Sequence, residues 1–246
     1  MAVYHIEFRI RVHAKKYAKT LIYEVGKRFR VRGMTRRHVV PHISLYGPFL
    51  TRRQRDVVAE FVRVCSKYRR VLFTFKGFNY FDNSTNKVIY LDIVPSDELV
   101  NLRAELASAL IPITYSKSKE DRKNKIDFKF HSTIAFKDID NKFRDIWSYI
   151  GRKEKPNFRQ HLLRVTIIKN SKILYEYDLI QHRLLNRRQA LDKHLFMETI
   201  RRIKGHADSE QNAEEIEEEE MEVNTAGEKD GERTSFWSMI SRWFGK

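Results

Sequence analysis

The sequence predicts an α/β (α+β) fold in two similar halves, with two antiparallel-rich sheets flanking a central cleft and helices outside. Three observations carry that prediction. Strand-like and helix-like periodicities alternate along residues 1–180, each half runs strand, helix, strand, helix, strand, and equivalent points recur at a nearly constant offset. The second strands lie 89 residues apart (His42 and His131), the helix starts 89 (Thr51 and Asp140) and the third strands 87 (Val71 and Phe158). At 246 residues and 41% hydrophobic composition, the chain can bury a substantial core.

Tyr4, Ile6, Phe8, Ile10 and Val12 alternate with polar residues, the period-two pattern of a strand with one buried face. Residues 15–31 change to helical spacing, with Ala18, Ile22, Val25 and Phe29 on one stripe and Gly33 beyond it. Residues 38–46 are rich in β-branched residues and read as the second strand. Thr51-Arg52-Arg53-Gln54 has a capping-box pattern and opens a helix carrying Val57, Val58, Phe61, Val64 and Cys65. Residues 71–78 read as a strand that closes the first half, near residue 82. In the second half, residues 87–94 read as a strand and Ser96 caps a helix running to Pro112. The charged stretch 115–127 reads as a mobile loop. A strand covers 128–136, a helix 140–150, and a strand 158–169. Asn170-Ser171 then turns the chain into a hairpin partner at 172–180. The folded domain is thus expected over 1–185, in lobes of about 1–82 and 83–185.

Beyond it, residues 186–205 read as a basic helix with Leu191, Leu195, Ile200 and Ile203. Residues 206–232 read as an acidic disordered linker, because so few apolar groups cannot offset the chain entropy of ordering. Residues 233–246 read as an amphipathic helix, with Phe236, Met239, Ile240 and Trp243 on one face.

The formal charge of +16 conceals an asymmetry. Residues 205–232 hold 12 acidic side chains and one basic, whereas residues 1–204 hold 44 basic and 20 acidic, a balance of +24. A body that basic attracts polyanions, the nucleic-acid backbone above all. Cys65 is the only cysteine, so disulfide frameworks and thiolate metal clusters are excluded, and a buried hydrophobe is its expected role. No signal-peptide pattern and no bilayer-length apolar run is present, so a cytoplasmic protein is expected.

Only two of the nine histidines have a hydroxyl residue two positions on: His42-Ile43-Ser44 and His131-Ser132-Thr133. Both lie on the second predicted strand of their half. Period-two geometry puts His42 with Ser44, and His131 with Thr133, on one face, while Ile43, Leu45, Phe130, Ile134 and Phe136 point into a core. Two imidazoles and two hydroxyls lining one cleft suit phosphodiester chemistry. One ring takes a proton from the attacking oxygen, the other gives one to the leaving oxygen, and the hydroxyls hold the phosphate. Tyr46, on the face of Ser44, is a candidate for stacking on a base, and Lys137 for meeting a phosphate. Arg183, Arg187 and Arg188 could track an RNA backbone. His38 and His42 have a helical ligand spacing, but Pro41 and the β-branched Val39 and Val40 make the segment a strand, so no metal pair is expected.

The segments His42-Ile43-Ser44-Leu45-Tyr46-Gly47-Pro48-Phe49 and Phe130-His131-Ser132-Thr133-Ile134-Ala135-Phe136 resemble the paired motifs of the two-histidine phosphoesterases. The branch they look most like is the 2′-5′ RNA ligase/2′,3′-cyclic phosphodiesterase group, over roughly residues 1–190. The resemblance implies His42 and His131 as the acid/base pair, Ser44 and Thr133 as phosphate holders, and neither a divalent metal nor another cofactor. Ser44 stands where threonine is commoner in that family. The implied substrates are RNA ends with a 2′,3′-cyclic phosphate or small cyclic nucleotides, handled by a monomer. The alternatives are a catalytically silent RNA- or nucleotide-binding module of the same fold, and an adaptor that reaches a protein or membrane surface through residues 233–246.

Overall fold

In the computed structural model, the residues described are 2–31, 40–83, 86–116, 118–123 and 127–204. His38, Gly33, the acidic segment and the C-terminal aromatic helix lie outside them. Contacts divide the chain into Met1–Thr199, which holds both sheets, and Ile200–Lys246.

Among the described residues, the first sheet has six strands and the second four, and every pairing is antiparallel. The strands are β1 (Val3–Arg9), β2 (His42–Leu50), β3 (Val71–Asn83), β4 (Asn86–Pro95), β5 (Tyr115–Ser116), β6 (His131–Phe136), β7 (Asn157–Leu162), β8 (Arg164–Lys169), β9 (Lys172–Asp178) and β10 (Arg183–Asn186). Their orders are β10-β9-β8-β1-β2-β5 and β6-β4-β3-β7. The helices are α1 (Val12–Arg28), α2 (Gln54–Cys65), α3 (Asp97–Leu110), α4 (Phe143–Gly151), α5 (Arg187–Ala190) and α6 (Lys193–Lys204). The mixed α/β class and the two antiparallel sheets match the expectation from sequence.

The sheets do not coincide with contiguous halves of the chain. Strand β3, from the first half, pairs with β4 and β7, while β8 to β10, from the second, extend the sheet of β1 and β2. Lobes bounded near residue 82 therefore misassign these strands. The predicted single strand at 158–169 is two, β7 and β8, which part at Leu163 and join different sheets. Residues 160–165 are buried without alternation, so the pattern gives no sign of the transfer.

Helix α1 starts at Val12 and buries Ala14, Ala18, Leu21, Ile22 and Val25, with Lys27 and Arg28 in its last turn, where cations suit the helix dipole. It packs against β6, and α3 packs on β2, β3 and α2. The Ser96 hydroxyl accepts from the Leu99 amide, capping α3 as its sequence indicates. The capping box expected at Thr51 does not form. Helix α2 begins three residues later, and the Thr51 hydroxyl instead accepts from the Arg53 amide and donates to the Ile113 carbonyl. Asn170 and Ser171 both have positive φ and join β8 to β9 in a two-residue turn.

The charged stretch expected to be a loop holds structure in its described part. Tyr115–Ser116 pairs with the end of β2, and Asp121 is buried. The Asp121 carboxylate accepts from the Gly47 amide at 3.0 Å and from the Ser116 hydroxyl, and burial pushes its pKa up. Arg103, itself buried, donates to the carbonyls of Glu120 and Lys123 and lies over the Phe128 ring. Cys65 is buried, as expected.

Candidate active site

Strands β2 and β6 pack side by side where the two sheets meet, and they are matched residue for residue. Across from β1, His42 pairs with Arg9, Ile43 with Phe8 and Ser44 with Glu7. Across from β4, His131 pairs with Asp92, Ser132 with Leu91 and Thr133 with Tyr90. Each ladder then shifts register by one residue, after Ser44 in β2 and after Thr133 in β6. The internal duplication is thus present in hydrogen bonding as well as in sequence offset. His42, Ser44, His131 and Thr133 are all half-buried, while the alternating Ile43, Leu45, Ser132 and Ile134 are buried on the opposite face.

The two imidazoles are held in the same way. His42 Nδ1 lies 2.8 Å from the Val40 carbonyl, and His131 Nδ1 lies 2.9 Å from the Lys129 carbonyl. A carbonyl can only accept, so each Nδ1 carries the proton and each Nε2 is left to accept or deliver one.

The surroundings of the two rings differ. His131 stands edge-on to Phe81, with centroids 5.0 Å apart, and tilted against Tyr90 at 5.1 Å. Burial lowers its pKa, the bond to Lys129 opposes that, and the charge of His42 lowers it further. His42 instead has Glu7 Oε2 3.8 Å from its Nε2 and the His5 ring edge-on at 5.8 Å. His5 Nε2 is 3.0 Å from the Ser44 hydroxyl, and burial brings the His5 pKa down to about 4, with His42 adding to the effect. Glu7 is buried. Desolvation raises its carboxyl pKa against the opposing pull of His42 and Arg9.

The histidines and hydroxyls expected from sequence therefore lie on adjacent strands, but two other expected contributors do not join them. Tyr46 is 1% exposed, hydrogen-bonded to the Thr114 hydroxyl and packed against Phe49. The register shift after Ser44 breaks the alternation and turns Tyr46 into the core opposite Ile6, so it offers no surface to a base. Lys137 is exposed one residue past β6, at the opposite end of that strand from His131, and its ammonium sits over Phe136. Six residues of strand place its Cα roughly 20 Å from that of His131. Sequence reading passed over His5, Glu7, Phe81 and Tyr90. For the first two the signal was present: they alternate on the strand beside the His42 motif, on a face taken to be polar and open.

A pseudo-duplicated α/β fold carrying a matched His-x-Ser/Thr pair on neighbouring strands defines the class of protein. A family model for the 2′-5′ RNA ligase superfamily matches residues 23–172, and the chain belongs to that superfamily. No curated protein matches the sequence. Among solved structures, TT0787 of Thermus thermophilus is similar at 10% identity and TM-score 0.45, covering 72% of this chain and 98% of its own. The Usb1 structure of Kluyveromyces marxianus is similar at 10% identity and TM-score 0.40, covering 75% and 97%. E. coli LigT in apo form is similar at 11% identity and TM-score 0.38, covering 74% and 91%.

Proposed function

We propose that this chain is a metal-independent phosphoesterase that opens 2′,3′-cyclic phosphates at RNA ends, or runs the reverse path by joining such an end to a 5′-hydroxyl as a 2′-5′ bond. The observation that carries the reading is the paired anchoring of His42 and His131 through Nδ1, which leaves two Nε2 atoms for proton transfer. In hydrolysis, one Nε2 takes the proton of a water molecule as its oxygen bonds to phosphorus. The bond from phosphorus to the 2′- or 3′-oxygen breaks, and the other Nε2 delivers a proton to that oxygen. Ser44 and Thr133 donate to the non-bridging oxygens and hold phosphorus between the rings. The +24 balance of residues 1–204 draws a polyanionic substrate to the protein.

The test is conversion of RNA bearing a 2′,3′-cyclic phosphate by purified protein in excess EDTA, with the product resolved as 2′- or 3′-phosphate. Turnover should fall about 10²–10⁴-fold in His42→Ala and in His131→Ala. Absence of conversion by the wild type, or undiminished conversion by either variant, would overturn the proposal.

A further inference from the structure

Three metal-ligating side chains meet on the face of the first sheet beside His42. His5 and Glu7 are two apart on β1 and so share a face, and His42 follows on the adjacent strand β2. One donor atom from each lies within 4.8 Å of the others, and the His42 Nε2 to Glu7 Oε2 separation is 3.8 Å. Ligands at about 2.0–2.2 Å from a tetrahedral zinc ion stand roughly 3.3–3.6 Å apart, so small side-chain rotations bring this set to coordinating geometry. The His42 ring already carries the outer hydrogen bond that metal-binding histidines use, from Nδ1 to a backbone carbonyl, which aims Nε2 at the neighbouring donors. Glu7 is 8% exposed, and its neighbours Arg9 and His42 both stand at 3.8 Å, so a cation at close range would compensate its charge better. Two imidazoles and one carboxylate with a fourth position open form a donor set for zinc rather than for magnesium or calcium, which prefer oxygen.

We propose that His5, Glu7 and His42 form a zinc site whose occupancy inhibits the enzyme. The inhibition rests on the phosphoesterase reading above; the zinc binding does not. Zinc on His42 Nε2 occupies the lone pair that proton transfer requires. Zinc on His5 Nε2 also takes that atom from the Ser44 hydroxyl. The ion is a ligand that shuts the site, and the reaction itself proceeds without it.

The experiment uses the full chain, freed of metal by dialysis against a chelator and titrated with zinc ion alone in competition with a chromogenic chelator. One equivalent should bind. Affinity should fall by about 100-fold or more in His5→Ala and in Glu7→Gln, beyond the 10–100-fold cost of disturbing only the outer partners of metal ligands. Circular dichroism verifies that each variant is folded. His131→Ala should keep one-equivalent binding, because His131 is outside the donor set. Turnover of the wild type should fall as the site fills and return on adding EDTA. Absence of stoichiometric binding, or binding that survives unchanged in folded His5→Ala and Glu7→Gln, overturns the site. Zinc bound as described by a protein without turnover supports the site and puts the failure on the phosphoesterase reading. Turnover indifferent to a filled site overturns the inhibition.

Discussion

Replacing Arg164 by methionine should destabilise the protein by about 3–5 kcal/mol, the usual cost of removing one partner from a buried ion pair. The Arg164 guanidinium is 2% exposed, and the side chains of Glu176 and Asp178 are fully buried. It donates to Asp178 Oδ2 at 2.8 Å, to the Leu195 carbonyl at 2.7 Å and to the Thr199 hydroxyl at 2.6 Å. The two carboxylates would be affected unequally. Glu176 keeps Arg11 at 2.8 Å and the Thr166 hydroxyl at 2.8 Å. Asp178 keeps only neutral donors among those bonds, the amides of Ile180 and Gln181 and the hydroxyl of Thr199. Most of the loss should therefore reside in the uncompensated charge of Asp178. At about 2–4 °C per kcal/mol for a unit of this size, Tm should drop by roughly 6–20 °C. One further result follows from the same logic. Asp178→Asn in the Arg164→Met background should recover part of the loss, since it removes the stranded charge. Chemical denaturation of the three proteins at neutral pH measures both. A loss under about 1 kcal/mol for Arg164→Met, or an Asp178→Asn substitution that adds its own cost, would refute the reasoning.

Two more predictions concern stability. His161 is 8% exposed with neither ring nitrogen hydrogen-bonded, and burial, aided by the charge of Arg70, brings its pKa down to about 4. The unfolded chain takes up that proton near pH 6.5, so the neutral ring's contribution is complete above that value and is lost as pH falls toward 4. The loss approaches about 3 kcal/mol at the acid end, and His161→Phe should remove this acid sensitivity, as read by denaturation from about pH 7 to about pH 4.5. Gly47 and Gly77 both have positive φ, +104° and +78°, but a Cβ at Gly47 would meet Phe49 at 3.1 Å and the Tyr4 carbonyl at 3.2 Å, whereas at Gly77 it meets nothing within 4 Å. Gly77→Ala should cost about 1 kcal/mol for the backbone alone and Gly47→Ala about 2–3 kcal/mol or more, a ranking that equal denaturation midpoints would contradict.

The sequence made the histidines legible because a strand's period of two leaves a readable mark. His42 with Ser44 and His131 with Thr133 had to share faces if the segments were strands, and the 89-residue offset tied them together. The features that stayed hidden leave no such mark. A register shift of one residue changes which face Tyr46 occupies without changing any residue type, so base stacking was assigned to a side chain that packs the core. The transfer of the chain between sheets at Leu163 lies within a run buried on both faces, where alternation is absent. Asp121 sits in a segment so charged that composition favours a loop, and its buried place comes with bonds to Gly47 and Ser116. His5 and Glu7 were visible as the polar side of β1. That this side is largely covered depends on the pairing of β1 with β8 and on β2 beside it, which local pattern does not encode.

Duplication and divergence both mark the candidate site. What the halves share is backbone-determined: the strand carrying the histidine, the carbonyl two residues earlier that fixes Nδ1, and the register shift after the hydroxyl residue. What separates them comes from single side chains on the neighbouring strand of each sheet. At equivalent ladder positions His42 pairs with Arg9 and Ser44 with Glu7, whereas His131 pairs with Asp92 and Thr133 with Tyr90, so His42 has a carboxylate 3.8 Å from its Nε2 and His131 has an aromatic wall with Asp92 across the ladder. Under the two-histidine reaction proposed above, in which one ring takes a proton and the other gives one, unlike surroundings suit unlike tasks. The common backbone sets how each ring is held through Nδ1, and the side chains at positions 7 and 9 on one side and 90 and 92 on the other make their surroundings unlike.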